Sequence, residues 1–152
     1  MDYIKSIRNK VGHDPVILVF AGGILTDPDN RILLQKRADF HQWGLIGGAL
    51  EYGETASQAC IREFKEETGL DVAVDQLLGV STDQIQHYPN GDVAQCVVVS
   101  FVVHQVGGRL NSKNDETLDL AYFPSNQLPP IFNQQHQKCI GAFRKRQIGY
   151  FD

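Results

Sequence analysis

The sequence predicts a mixed α/β (α+β) fold, and three observations carry that prediction. Apolar β-type runs stand on both sides of an internal helix. That helix, over Thr55–Thr68, holds no Pro or Gly and stops at Gly69. Helical stretches also open and close the chain. At 152 residues one domain, 1–152, is expected, and that length can bury a proper core.

In chain order, Met1 to Lys10 reads as a short helix with Ile4 and Ile7 on one side, ending near Gly12. Val16–Leu25 and Arg31–Lys36 read as strands rich in Val, Ile and Leu, joined by the turn-forming TDPDN stretch. The near-continuous apolar character of the first implies burial on both faces. Its Gly22-Gly23 pair implies a bulge or a close backbone approach. Gln35-Lys36-Arg37 ends the second strand with two cations, either at a solvated strand end or against substrate phosphates. Trp43 reads as a core anchor and His41 as a structural residue.

Beyond the internal helix, Val72–Gln86 reads as one or two strands kinked at Gly79, and Tyr88–Asp92 has strong turn chemistry. Val93–Gln105 is the longest β-type run and is expected to be central, with a turn at Gly107-Gly108. Thr117–Phe123 reads as a further strand that ends at Pro124. Asn133–Gln147 reads as a helix, with Arg144-Lys145-Arg146 near its C-terminus, where cations suit the dipole.

Composition excludes several classes. A hydrophobic content of 42% with 21% charged residues fits an ordinary globular protein, and a net charge of −4 offers no general attraction to nucleic acid or anionic membrane. Cys60, Cys96 and Cys139 are widely separated and odd in number, so no disulfide framework or zinc motif is expected. A reducing, cytoplasmic location fits best, with no membrane-spanning run and no signal-type apolar core.

The internal helix carries the chemistry. At about 100° per residue, Ala56, Ala59, Cys60, Glu63 and Glu67 share one face, with Glu66 at its edge. An ordinary surface helix keeps its charges opposite the apolar stripe. Here two carboxylates lie within the stripe, which is costly unless something positive neutralises them. Arg62, at i,i+4 to Glu66, offsets part of that charge. A divalent cation is the natural remaining partner, and an all-carboxylate set favours magnesium or manganese over zinc.

Read from Gly48 to Leu70, GALEYGETASQACIREFKEETGL resembles the complete signature of the Nudix (MutT-like) hydrolases. Gly48, Glu54, Arg62-Glu63, Glu66-Glu67 and Gly69 match, as do the bulky Phe64 and Leu70. The resemblance implies the Nudix fold, a mixed β-sheet sandwiched between α-helices, with the Nudix box at 48–70. In the family a tryptophan before the box, here Trp43, is common. A proline often precedes the glycines, where Ile46 stands here.

The activity so implied is a pyrophosphohydrolase, an enzyme acting on acid anhydrides in phosphorus-containing anhydrides. It would cleave a nucleoside diphosphate linked to another moiety by metal-activated attack of water on phosphorus. By resemblance Glu66 and Glu67 ligate Mg2+ (or Mn2+) with the backbone carbonyl of Gly47. Glu63 is the general base or a further ligand, and Arg62 holds the carboxylates in place. Glu116 completes the metal set, with Asp115 as the alternative. Glu54 is either a plain acidic residue at the helix N-terminus or a direct metal contact.

The box does not read the base or the leaving group. At the downstream positions that mark some family members stand Ile85 and Gln86, not the proline or tyrosine of ADP-ribose or dinucleoside polyphosphate hydrolases. The motifs of NADH and coenzyme A hydrolases are absent too. A nucleoside triphosphate, oxidised ones included, or a nucleotide sugar remains. Tyr88 either stacks on a base or packs against the surface. The rival readings are a catalytically inactive nucleotide-sensing module and a hydrolase of a non-nucleotide polyphosphate. The intact box and the lack of an appended DNA-binding segment weigh against the first. Homodimerisation, common in the family, is left open.

Overall fold

The computed structural model describes residues 2–152. Helix α1 (Tyr3–Val11) starts where the Asp2 carboxylate accepts the Lys5 N–H and stops at Gly12. Met1, at the start of the expected helix, lies outside the described residues. Strands β1 (Val16–Leu25) and β2 (Arg31–Arg37) follow, their turn organised by Asp27, which accepts N–H groups from Asp29 and Arg31. Two short strands, β3 (Trp43–Gly44) and β4 (Ile46–Ala49), lead into helix α2 (Ala56–Thr68). Then come β5 (Leu70–His87), β6 (Val93–Gly108), β7 (Thr117–Pro124), helix α3 (Gln134–Arg144) and β8 (Tyr150–Phe151).

The larger sheet has the order β4-β1-β6-β5-β8 and the smaller β3-β2-β7. The larger one is mixed, since β1/β6 and β5/β8 run parallel while β1/β4 and β5/β6 run antiparallel. Strand β6 is central, as its apolar length implies. Alternation sends neighbouring residues to opposite faces. Phe101 and Val103 therefore join Cys60 and Phe64 of α2, while Val102 joins Cys139 and Ile140 of α3. Phe64 has no exposed surface, and burying such a side chain contributes about 1.5–3 kcal/mol. Helix α1 packs Tyr3, Ile4 and Ile7 over Leu18 and Cys96 on the α3 side of the sheet.

Several expectations are corrected. Strand β1 is buried on both faces only in its second half, because α2 does not reach Ile17 and Val19, which stay exposed. Gly22 marks a close approach, not a bulge: β1 keeps its register, and a Cβ there would strike the Ile46 carbonyl. Gly107-Gly108 is no turn, because the ladder continues with Gly108 opposite Leu70 and Gly107 opposite Asp71. The kink at Gly79 appears as a register shift, with the Tyr150 ring lying where a side chain would stand. Trp43 is only partly buried, edge-on to Phe123 at 5.0 Å. Helix α3 ends at Arg144, so Lys145 and Arg146 lie past it. All three cysteines are free and buried.

Candidate active site

Helix α2 is fixed at both ends. Thr55 and Gln58 form a reciprocal capping box, and Gly69 closes the helix in the left-handed region at φ 79°. A cap of this kind contributes about 1 kcal/mol. Between the ends, the buried face presents Ala59, Cys60, Glu63, Phe64 and Glu67. Two carboxylates thus enter the packed side, as the helical spacing predicts.

The loop before β7 completes the group. The Asn111 N–H donates to the Thr68 carbonyl at 2.7 Å, and Asn114 Nδ2 donates to the Glu67 carbonyl at 3.0 Å. Asn114 Oδ1 then accepts the Glu116 N–H at 3.0 Å, and the Ala38 N–H donates to the Glu116 carbonyl. These bonds bring Glu116 over α2, so that carboxylate oxygens of Glu63, Glu67 and Glu116 lie within 4.8 Å of one another. Asp115 lines the same cleft but stands outside this trio. So does Glu66, whose side chain is 58% exposed and accepts from Arg62 NH1 at 3.2 Å. Gly47 lines the cleft on β4. At Gly48 a Cβ would overlap the Glu63 carboxylate, so only glycine leaves that carboxylate its place.

Arg62 holds the flank. Its Nε and NH2 form a fork on Glu54 at 2.7 and 2.9 Å, NH1 reaches Glu63 at 2.8 Å, and NH2 reaches the Ala49 carbonyl. Glu54 is therefore an ion-pair partner of Arg62, and its carboxyl is held below the usual range by that bond. Nothing comparable serves Glu67, which is 4% exposed and whose Oε2 has no hydrogen-bond partner among the described residues. Burial, then Glu63 and Glu116 beside it, pushes the Glu67 carboxyl well above the ordinary range. Burial also raises Glu63, against the pull of Arg62. Buried oxygens crowded this way fit a hard divalent cation.

From this mouth a cleft of about 740 Å³ runs across the larger sheet toward α3 and α1. Arg37 lines it, paired with Asp39 at 2.7 Å and lying 4.3 Å over the Phe132 ring. Of the two cations ending β2, Arg37 faces the cleft. Tyr88 lines it as well, partly buried, with its ring 5.9 Å from Phe40. His136 Nδ1 accepts the Leu45 N–H at 2.9 Å, and burial lowers its pKa to about 3, so the ring stays neutral. Phe132, Gln135 and His136 escaped the sequence reading, because no local spacing ties α3 to the box. Only Asn114 left a local signal, an Asx residue two positions before Glu116.

The comparisons decide the family. A family model described as NUDIX domain matches residues 18–143. This chain belongs to the Nudix family. An ADP-ribose pyrophosphatase of Methanocaldococcus jannaschii is 37% identical over 134 residues, covering 86% of this chain and 75% of that protein. Among solved structures, a Nudix hydrolase from Nitrosomonas europaea superposes with a TM-score of 0.72 at 22% identity, over 91% of this chain and 79% of that one. A UDP-X diphosphatase superposes with a TM-score of 0.71 at 21% identity, over 99% and 74%. These two similarities show the fold, the mixed-sheet Nudix architecture. Nudix membership makes the chain a pyrophosphohydrolase-type protein of a family that generally uses divalent metal ions. No helix among the described residues is long and apolar enough to cross a membrane.

Proposed function

We propose that the chain is a magnesium- or manganese-dependent, cytoplasmic pyrophosphohydrolase of nucleoside diphosphates linked to a further group. One observation carries the reading. Three carboxylates converge within 4.8 Å, one of them buried with an unpartnered oxygen. Such a cluster is costly until a cation neutralises it.

Glu63, Glu67 and Glu116 would hold the ion, with Glu66 and the Gly47 carbonyl as outer candidates. When bound, the ion supplies positive charge against the polyphosphate and lowers the pKa of water. Glu63 lies at the cluster's edge, held by Arg62, where it can take a proton from attacking water. Arg62 fixes Glu63 through charge-assisted bonds and spares Glu67 for the ion. Arg37, inside the cleft, is placed to meet a phosphate oxygen. The partner in this reading is a small nucleotide and not a nucleic acid or a membrane. The named activity of the Methanocaldococcus jannaschii relative puts ADP-ribose beside nucleoside triphosphates and nucleotide sugars as a substrate to test, although Ile85 and Gln86 stand in place of the marking proline or tyrosine.

The test is a hydrolysis panel with magnesium, read by chromatography of the nucleotide products, covering those substrates and dinucleoside polyphosphates. Glu67→Gln serves as the blank. One substrate should stand above the rest, and kcat should fall at least about 10²-fold in Glu67→Gln. That variant removes a crowded buried charge, so its fold should persist. Near-normal turnover in Glu67→Gln would overturn the metal site, and a flat panel would favour the nucleotide-sensing reading.

A further inference from the structure

The far end of the cleft holds an orphan that the hydrolytic chemistry does not use. Gln135, on the first turn of α3, is 2% exposed and lines the cleft. Its Nε2 donates to the Cys96 carbonyl at 2.8 Å, to Ser81 Oγ at 3.1 Å and to the Ser81 carbonyl at 3.3 Å. Two of these partners are carbonyl oxygens, which only accept, so the amide cannot be turned over. The third is fixed as an acceptor as well, because Ser81 Oγ donates to Asp152 Oδ2 at 2.6 Å. Strand β8 brings Asp152 there by pairing with β5. The Oε1 atom therefore faces away from these partners, buried, with nothing among the described residues to donate to it. Leaving such an acceptor unsatisfied is unfavourable, and a ligand that donates to it recovers that loss.

A second such oxygen belongs to the same cleft. Gln86 lies opposite Ala94 on β5/β6, two positions from Cys96, so its side chain shares the face that Gln135 covers. Its Oε1 is also buried and unpartnered, and Gln86 lines the same cleft. Tyr88 and Phe132 wall this region with aromatic surface. Two acceptors beside aromatic rings, in the part of the cleft that α3 lines, call for a flat heterocycle that carries N–H groups.

We propose that Gln135, assisted by Gln86, determines base specificity by accepting hydrogen bonds from an exocyclic amino group. An –NH2 has two hydrogens for two orphan oxygens. Adenine, guanine and cytosine carry one; uracil in place of cytosine, or hypoxanthine in place of adenine, would set a carbonyl oxygen against these acceptors, and hypoxanthine in place of guanine would leave them without a donor. The proposal rests on the hydrolase reading only in that the carboxylate end holds the diphosphate, which leaves the base for the α3 end.

The experiment measures equilibrium binding of α,β-methylene nucleoside diphosphates, which resist cleavage, in matched pairs with and without the amino group. Guanosine is compared with inosine, adenosine with inosine, and cytidine with uridine. In the wild type the amino member of at least one pair should bind about tenfold tighter or more. Gln135→Met, of similar length but without the acceptor, should bring that ratio below about threefold. Equal binding within every pair by the wild type overturns the proposal without any variant. So does a preference that survives in Gln135→Met. Should Gln135→Met not fold, Gln86→Leu is measured in its place, and an undiminished ratio there counts against the proposal. Pair preference in a protein that hydrolyses nothing would break the hydrolase reading alone. Hydrolysis without pair preference would break this inference alone.

Discussion

The two ends of the cleft are built in opposite ways. The carboxylate mouth comes almost entirely from one continuous stretch, β4 through α2, with Glu116 added by a loop. The α3 end is assembled from α1, the Tyr88 turn, β6, α3 and β8, elements scattered along the whole chain. A helix brings Glu63 and Glu67 together through its own period, whereas Gln135 meets Ser81 only through the complete sheet. Chemistry held by local geometry can be shared across a family while distant segments vary the remainder of the site.

That contrast predicts different kinetic signatures. Changes at the mouth should lower kcat for every substrate alike, and changes at the α3 end should alter the ranking among substrates. The largest effect expected at the mouth short of removing Glu67 is for Gly48→Ala. Its Cβ would displace the Glu63 carboxylate, and kcat should drop about 10²-fold across the panel, in the range found when one catalytic interaction is removed. A loss confined to some substrates would blur the division between the two ends, and full activity would remove Glu63 from the reaction.

A smaller effect concerns pH. In the metal-free protein Glu67 and Glu63 are held above the ordinary carboxylate range by burial first, with carboxylate neighbours adding to it. The folded state thus keeps protons that the unfolded state has released, so stability is present at low pH and is lost as pH rises above about 4.3 toward neutrality. Measured against Glu67→Gln, which shares the opposite slope contributed by buried, neutral His136, Tm of the metal-free wild type should fall over that window by a few degrees, since about 1 kcal/mol moves a chain of this size by about 2–4 °C. Magnesium should abolish that difference. A difference from Glu67→Gln that stays flat or rises over the same window would show that the trio carries no crowded charge.

What was legible in the sequence follows the same division. The span of β1, the central place of β6, the helix ending at Gly69 and the inward turn of Glu63 and Glu67 all come from local periodicity and capping. Strand β8 was illegible because two residues carry no period, and it exists only because β5 offers an edge. Gly107-Gly108 looked like a turn because glycine permits one, yet pairing with Leu70 and Asp71 extended the ladder through it. Glu66 illustrates the limit of a motif: its helical position was clear, but the direction of its side chain is set by Arg62.

The account's central claim is that Glu63, Glu67 and Glu116 form a divalent-cation site, and manganese titration followed by electron paramagnetic resonance tests it most directly. The wild type should bind Mn2+ saturably and release it to Mg2+, and Glu67→Gln should bind at least about tenfold more weakly. No saturable binding by the wild type, or equal binding by Glu67→Gln, would contradict it.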